Sequence, residues 1–298
     1  MNEKYYALKV VPKFNLINKG SINNLLNEPN ILKLINKSKF IPEIICSFQD
    51  YDNMYIVTTF YDGPILIKFA YEKLSEKQIQ FICACTIQSL KYLREKEIIH
   101  RDLTFHNIIM DKDKYFNLID FSFSVNYSNR NSSEYNCDVD PSFTAPELLN
   151  NLEYNYNSDY YRLGNLIFFI LFKKFPLKVK HPINMTELKE EYNLTKYYSN
   201  NLFDFLDKLI ETKKELRLGY KNFSELINHS FFNRFNWEKL EKKQIISPFN
   251  YIKSIINTKI CEKFNKTIIG MEKFARISKT KYYQTLLENF EFSNFNIK

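Results

Sequence analysis

His100-Arg101-Asp102-Leu103-Thr104-Phe105-His106-Asn107, followed eighteen residues after Asp102 by Asp120-Phe121-Ser122, is the stretch on which the reading of this chain turns. Two helical patterns flank it. Upstream, residues 75 to 94 carry Ile79, Ile82, Ile87, Leu90 and Leu93 at helical spacing behind Ser75, a residue type that caps helix N-termini. Downstream, residues 158 to 172 are apolar on nearly every side, as expected of a helix buried inside a helical lobe. Between lies a Ser/Asn-rich stretch, 126 to 136, without periodicity, and a loop of that length in a compact domain is usually functional.

Toward the N-terminus the pattern changes. Residues 5 to 11 (YYALKVV) and 54 to 60 (MYIVTTF) are short and rich in β-branched and aromatic residues, so both read as strands. Between them Ile22, Leu25, Leu26, Ile31, Leu32 and Ile35 recur at helical spacing behind the candidate N-cap Ser21. Asp62-Gly63-Pro64 then breaks the chain as a turn.

With 298 residues, 45% hydrophobic and 26% charged, the chain can bury a large core and lacks the polar signature of disorder. The net charge of +8 comes from lysines scattered singly, so it argues against a nucleic-acid or membrane partner. Five cysteines, Cys46, Cys83, Cys85, Cys137 and Cys261, show no paired spacing, which favours a reduced, cytoplasmic protein. The first residues lack the order of a secretory signal, and the longest apolar run, Leu163 to Phe172, is too short to span a bilayer.

The segment from His100 to Asn107, with Asp120-Phe121 at its separation, resembles the eukaryotic protein kinases, whose catalytic loop reads HRDLxxxN and whose metal-binding segment reads DFG. Phosphoryl transfer needs a carboxylate to orient and deprotonate the attacking hydroxyl, and oxygen ligands to hold magnesium on the phosphates. The resemblance gives the first task to Asp102, preceded by Arg101, and the second to Asn107 and Asp120. It makes Ala7-Leu8-Lys9-Val10 the strand whose Lys touches the α and β phosphates of ATP, and Glu28 the helix residue that pairs with it. Ala145-Pro146-Glu147 and Arg217 match a pair that closes the activation segment, and Asp159 matches a buried Asp that holds the catalytic-loop backbone. Late features, among them Arg217-Leu218-Gly219, His229-Ser230-Phe231-Phe232 and a terminal Phe292-Ser293-Asn294-Phe295, resemble the group containing the cyclic-nucleotide-dependent kinases, whose tail clips onto a pocket beside the Glu28 helix.

Four departures follow from the same comparison. Only eight residues precede Lys9, which leaves no room for the two strands and glycine-rich loop that cover the phosphates. Ser122 replaces the Gly of DFG and removes permissive backbone torsion. Thr104 replaces a catalytic-loop Lys, and Asp140 a Thr that bonds the catalytic Asp. Each change points toward weaker transfer.

The expected fold is α+β and bilobal: a reduced β-rich N-lobe over residues 1–61, a helical C-lobe over 62–235, and a tail over 236–298 that docks back on the domain. Adenine is expected at the hinge Thr59-Phe60-Tyr61, with Thr58 controlling depth behind it. The expected function is ATP- and magnesium-dependent transfer to serine or threonine of a protein substrate; the rival is a pseudokinase scaffold that keeps the fold and loses turnover. Where the group carries acidic residues that select arginine before the acceptor, this chain has Ile65, His106 and Phe169. Phosphate on Ser128, Ser132, Ser133 or Tyr135 near Arg101 would order the loop.

Overall fold

The computed structural model describes residues 5–13, 22–129, 141–149, 154–176, 183–250 and 292–293. Strand β1 (Tyr6–Pro12) is followed by helix α1 (Ile22–Leu34), then by β2 (Ile44–Gln49) and β3 (Asn53–Thr59). β3 pairs antiparallel with both β1 and β2, placing Lys9 opposite Ile56 and Ala7 opposite Thr58. Ile31, Leu32 and Ile35 of the α1 segment are buried with Ile44, Met54 and Ile56 of the sheet in one continuous core. A helix stripe against a sheet face is the cheapest way to hide both. β2 was not foreseen, and Ser21 lies outside the described residues.

The second lobe is helical. Its first long helix, α2 (Glu76–Glu95), starts at the expected cap Ser75, which forms a capping box: Ser75 Oγ accepts from the Gln78 N–H while the Gln78 side chain accepts from the Ser75 N–H. Short ladders follow, β4 (Ile98–Ile99) with β7 (Val125–Asn126) and β5 (Ile108–Met110) with β6 (Phe116–Leu118). Then come α3 (Pro146–Leu149), α4 (Tyr156–Phe172), α5 (Met185–Glu191), α6 (Asn200–Leu209), α7 (Ser224–Ile227) and α8 (Trp237–Glu241). Phe249 stays on this lobe, its ring 5.2 Å from Phe69 and 5.1 Å from Phe116. A last strand, β8 (Phe292–Ser293), returns to the N-terminal sheet and pairs with Cys46 and Ser47 of β2. Gly63, between the lobes, donates its N–H to Met110 O, and a Cβ there would stand 2.4 Å from that oxygen. Only glycine fits such a contact.

α4 is buried on every side, as its composition predicts, and it carries the polar groups that fix the loop from His100 to Asn107. Asp159 accepts from the backbone N–H of His100 at 2.9 Å and of Arg101 at 3.0 Å, and from the Tyr154 hydroxyl at 2.9 Å. Arg101, at φ 66°, sits in a backbone region that non-glycine residues avoid, and the two N–H bonds hold it there. His100 is fully buried against Phe121; its Nδ1 accepts from the Asp102 N–H, so the proton rests on Nε2, which faces Ile119 O.

Buried ionisable groups in this lobe make stability sensitive to mutation and to pH. Arg217 clasps Glu147 through its two terminal guanidinium nitrogens, at 2.7 and 2.8 Å, with neither side chain more than 3% exposed. Glu147→Ala strands the cation and lowers unfolding free energy by about 3–5 kcal/mol in urea denaturation. Burial pushes His100 down from 6.5 to about 4. The unfolded chain therefore binds this proton more readily; the contribution is complete above pH 6.5 and is lost as pH falls toward 4. Between pH 7 and 5 that loss amounts to about 2 kcal/mol, and it is missing from His100→Phe in paired denaturation curves.

Candidate active site

Three elements deliver the charged centre. Lys9 comes from β1, Glu28 from α1, and Asp120 from the turn after β6. The Lys9 ammonium donates to Glu28 Oε2 at 2.8 Å and Oε1 at 3.1 Å, and to Asp120 Oδ1 at 2.7 Å. Glu28 is 3% exposed; it also accepts from the Phe121 backbone N–H at 3.3 Å, which ties α1 to the Asp120-Phe121 turn. Burial opposes the Lys9 charge, yet the two carboxylates outweigh it and hold the ammonium above its ordinary pKa. Glu28 is pushed up, chiefly by its burial. Asp120 is drawn below the usual carboxylate range because Lys9 and Ser122 outweigh its own burial.

The Ser122 hydroxyl joins this knot. It lies 2.6 Å from Lys9 Nζ, 2.5 Å from Asp120 Oδ1 and 3.2 Å from Glu28 Oε2. Its φ is not positive, so the loss of glycine imposes no backbone strain, contrary to the cost expected from the sequence. The left-handed residue of the turn is Asp120 itself, at φ 63°.

Asp102 and Asn107 form the second half of the site. Asn107 Nδ2 donates to Asp102 Oδ2 at 2.7 Å and to Asp102 O at 2.8 Å, while Asn107 O accepts from the Ile119 N–H. Burial raises the Asp102 pKa, and the Asp120 charge adds to the rise; Arg162 and Asn107 oppose it. Arg162 was not singled out from the sequence. It is fully buried in α4, with Nη1 3.7 Å from Asp102 Oδ1. An arginine amid Tyr160, Tyr161, Leu163 and Leu166 is the one signal that could have marked it. Arg101, 4% exposed, donates from Nε to Phe123 O at 2.6 Å.

Thr58 and Thr59 end β3 and are half-buried; Thr59 donates its N–H to Glu43 O at 2.9 Å. Tyr61 follows, its phenol pushed up by burial and by Asp111. Thr104 is half-buried beside the exposed His106. Asp140, Ser132, Ser133 and Tyr135 lie outside the described residues.

The donor set suits a hard divalent cation. Asn107 spends its amide hydrogens on Asp102, which leaves Oδ1 as an acceptor, and Asp120 Oδ2 makes no hydrogen bond among the described residues.

Comparison with known proteins agrees with this geometry. The sequence profile of the protein kinase domain matches residues 1–232. A probable serine/threonine-protein kinase of Dictyostelium discoideum is 30% identical over 251 residues, covering 83% of this chain and 55% of that protein. Serine/threonine-protein kinase Sgk1 of Danio rerio is 28% identical over 84% of this chain and 59% of its own length. The cAMP-dependent protein kinase catalytic subunit of Schizosaccharomyces pombe is 28% identical over 83% and 49%. The chain thus spans about half to three-fifths of these relatives. With its small strand-rich lobe, helical lobe and the residues gathered between them, this chain belongs to the protein kinase domain family.

Proposed function

We propose that the chain transfers the γ-phosphate of ATP to serine or threonine hydroxyls of protein substrates, with Mg2+ as the metal. The observation that carries this reading is the junction of Lys9, Glu28 and Asp120, tied to the paired Asp102 and Asn107 by the Ile119 N–H on Asn107 O. Lys9 would hold the α and β phosphates, and Glu28 fixes its direction. Asp120 and Asn107 would hold the metal, which when bound spreads the negative charge of the phosphates. Asp102, oriented by Asn107 and backed by Arg162, accepts the proton of the attacking hydroxyl. Adenine would lie against Thr59 and Tyr61, with Thr58 behind it.

Substrate choice, group and regulation belong to the same reading. The relatives named Sgk1 and cAMP-dependent protein kinase support membership of the cyclic-nucleotide-dependent group. The return of β8 to β2 supports a tail that docks within the chain, and no helix among the described residues is long and apolar enough to cross a membrane. A cytoplasmic setting suits Cys83 and Cys85, buried thiols of which Cys85 is pushed up to about 12. A second reading, a scaffold with little turnover, is favoured by Thr104 in place of the catalytic-loop lysine.

Labelled Mg·ATP and a serine/threonine peptide array separate the two. Active chain labels peptides, and Asp102→Asn reduces the rate about 10²- to 10⁴-fold without weakening nucleotide binding. Nucleotide binding with no transfer by either protein supports the scaffold. The same array reads specificity: Ile65 and His106 offer no anion to a guanidinium, and Phe169 is packed on Phe105 and Phe175. Peptides with arginine two or three residues before the acceptor are therefore not enriched; their strong selection would place an acidic contact elsewhere.

A further inference from the structure

An ammonium group has three hydrogens to donate. Four acceptor atoms already stand within 3.1 Å of Lys9 Nζ: Glu28 Oε1 and Oε2, Asp120 Oδ1 and Ser122 Oγ. A phosphate oxygen reaches Lys9 only by displacing one of them. Three belong to carboxylates, which hold the cation by charge as well as by hydrogen bond. Ser122 is the neutral acceptor, so it yields first.

We propose that the Ser122 hydroxyl is a resident stand-in for a nucleotide phosphate oxygen, filling the Lys9 donor site when no nucleotide is bound and thereby limiting nucleotide affinity. This rests on the nucleotide-site reading above and deepens it. The hydroxyl has one proton, and the nearer partner for it is Asp120 Oδ1 at 2.5 Å rather than Glu28 Oε2 at 3.2 Å. Ser122 therefore takes a hydrogen bond from Lys9 and gives one to the carboxylate expected to bind the metal. The Ser122 N–H also donates to Asp120 Oδ1, at 3.2 Å, which sets the side chain over the junction through the backbone alone. Because φ at this position is not positive, alanine fits without strain, and Ser122→Ala removes only the hydroxyl.

Thermal unfolding and equilibrium binding of the full chain, with Mg2+ and a non-hydrolysable ATP analogue, test this. Without nucleotide, Ser122→Ala melts below the wild type, because Lys9 and Asp120 each lose a partner. With nucleotide it binds about three- to tenfold more tightly, so its ligand-induced rise in Tm exceeds that of the wild type. Ser122→Thr, which keeps the hydroxyl, retains the wild-type affinity. Should alanine fail to fold, Ser122→Gly gives the same reading by direct titration. A serine with a purely structural role would lower stability in both states and leave affinity unchanged or weaker. Equal or weaker binding by the alanine variant overturns the role of Ser122 and leaves the nucleotide site standing; no nucleotide effect on the wild type or the variant overturns both.

Discussion

One ammonium shared between two carboxylates holds this molecule's two lobes in register. Lys9 belongs to the N-terminal sheet, Glu28 to the helix packed on it and Asp120 to the C-terminal lobe, so the three meet only when all three elements are in place. The junction carries one more negative than positive charge. In a partly buried setting such an excess is costly, and a divalent cation beside Asp120 relieves it. The arrangement that joins the lobes would thus also favour a divalent cation at the proposed metal site.

A second constraint keeps the opposite wall fixed. Asp159, buried in α4, engages the backbone of His100 and Arg101, while neutral His100 packs against Phe121. The loop that bears Asp102 and Asn107 is therefore bound to the most buried helix of the protein, and the turn that bears Asp120 is bound to the loop. Arg162 brings a positive charge up behind Asp102 from the same helix. Thr104 carries no charge, and Arg162 is a buried cation within ion-pair range of Asp102.

The site was legible in the sequence where residue type and spacing act together. Lys9, Glu28, Asp102, Asn107 and Asp120 each carry a charge or amide at a fixed interval, and the structure joins Lys9 to Glu28 and Asp120 and joins Asn107 to Asp102. The long helices were legible too, since Ser75 and the stripe ending at Leu93 repeat at the helical period. β2 was missed because Ile44–Gln49 is six residues behind Pro42, too short to show alternation. The ladders β4 to β7, of two or three residues each, are created by tertiary pairing, which leaves no periodic trace. Ser122 was read as a loss because its contacts to Lys9 and Glu28 span 113 and 94 residues. Arg162 escaped notice because helical patterning sees an interruption in an apolar face, while its partner Asp102 lies sixty residues upstream.

The most direct measurement is a crystal structure of the chain with Mg2+ and a non-hydrolysable ATP analogue. The account predicts the metal on Asp120 and Asn107 oxygens, a phosphate oxygen on Lys9 Nζ in the place now held by Ser122 Oγ, and Glu28 still paired with Lys9. A nucleotide bound away from Lys9, or a metal that leaves both Asp120 and Asn107 unengaged, would contradict it.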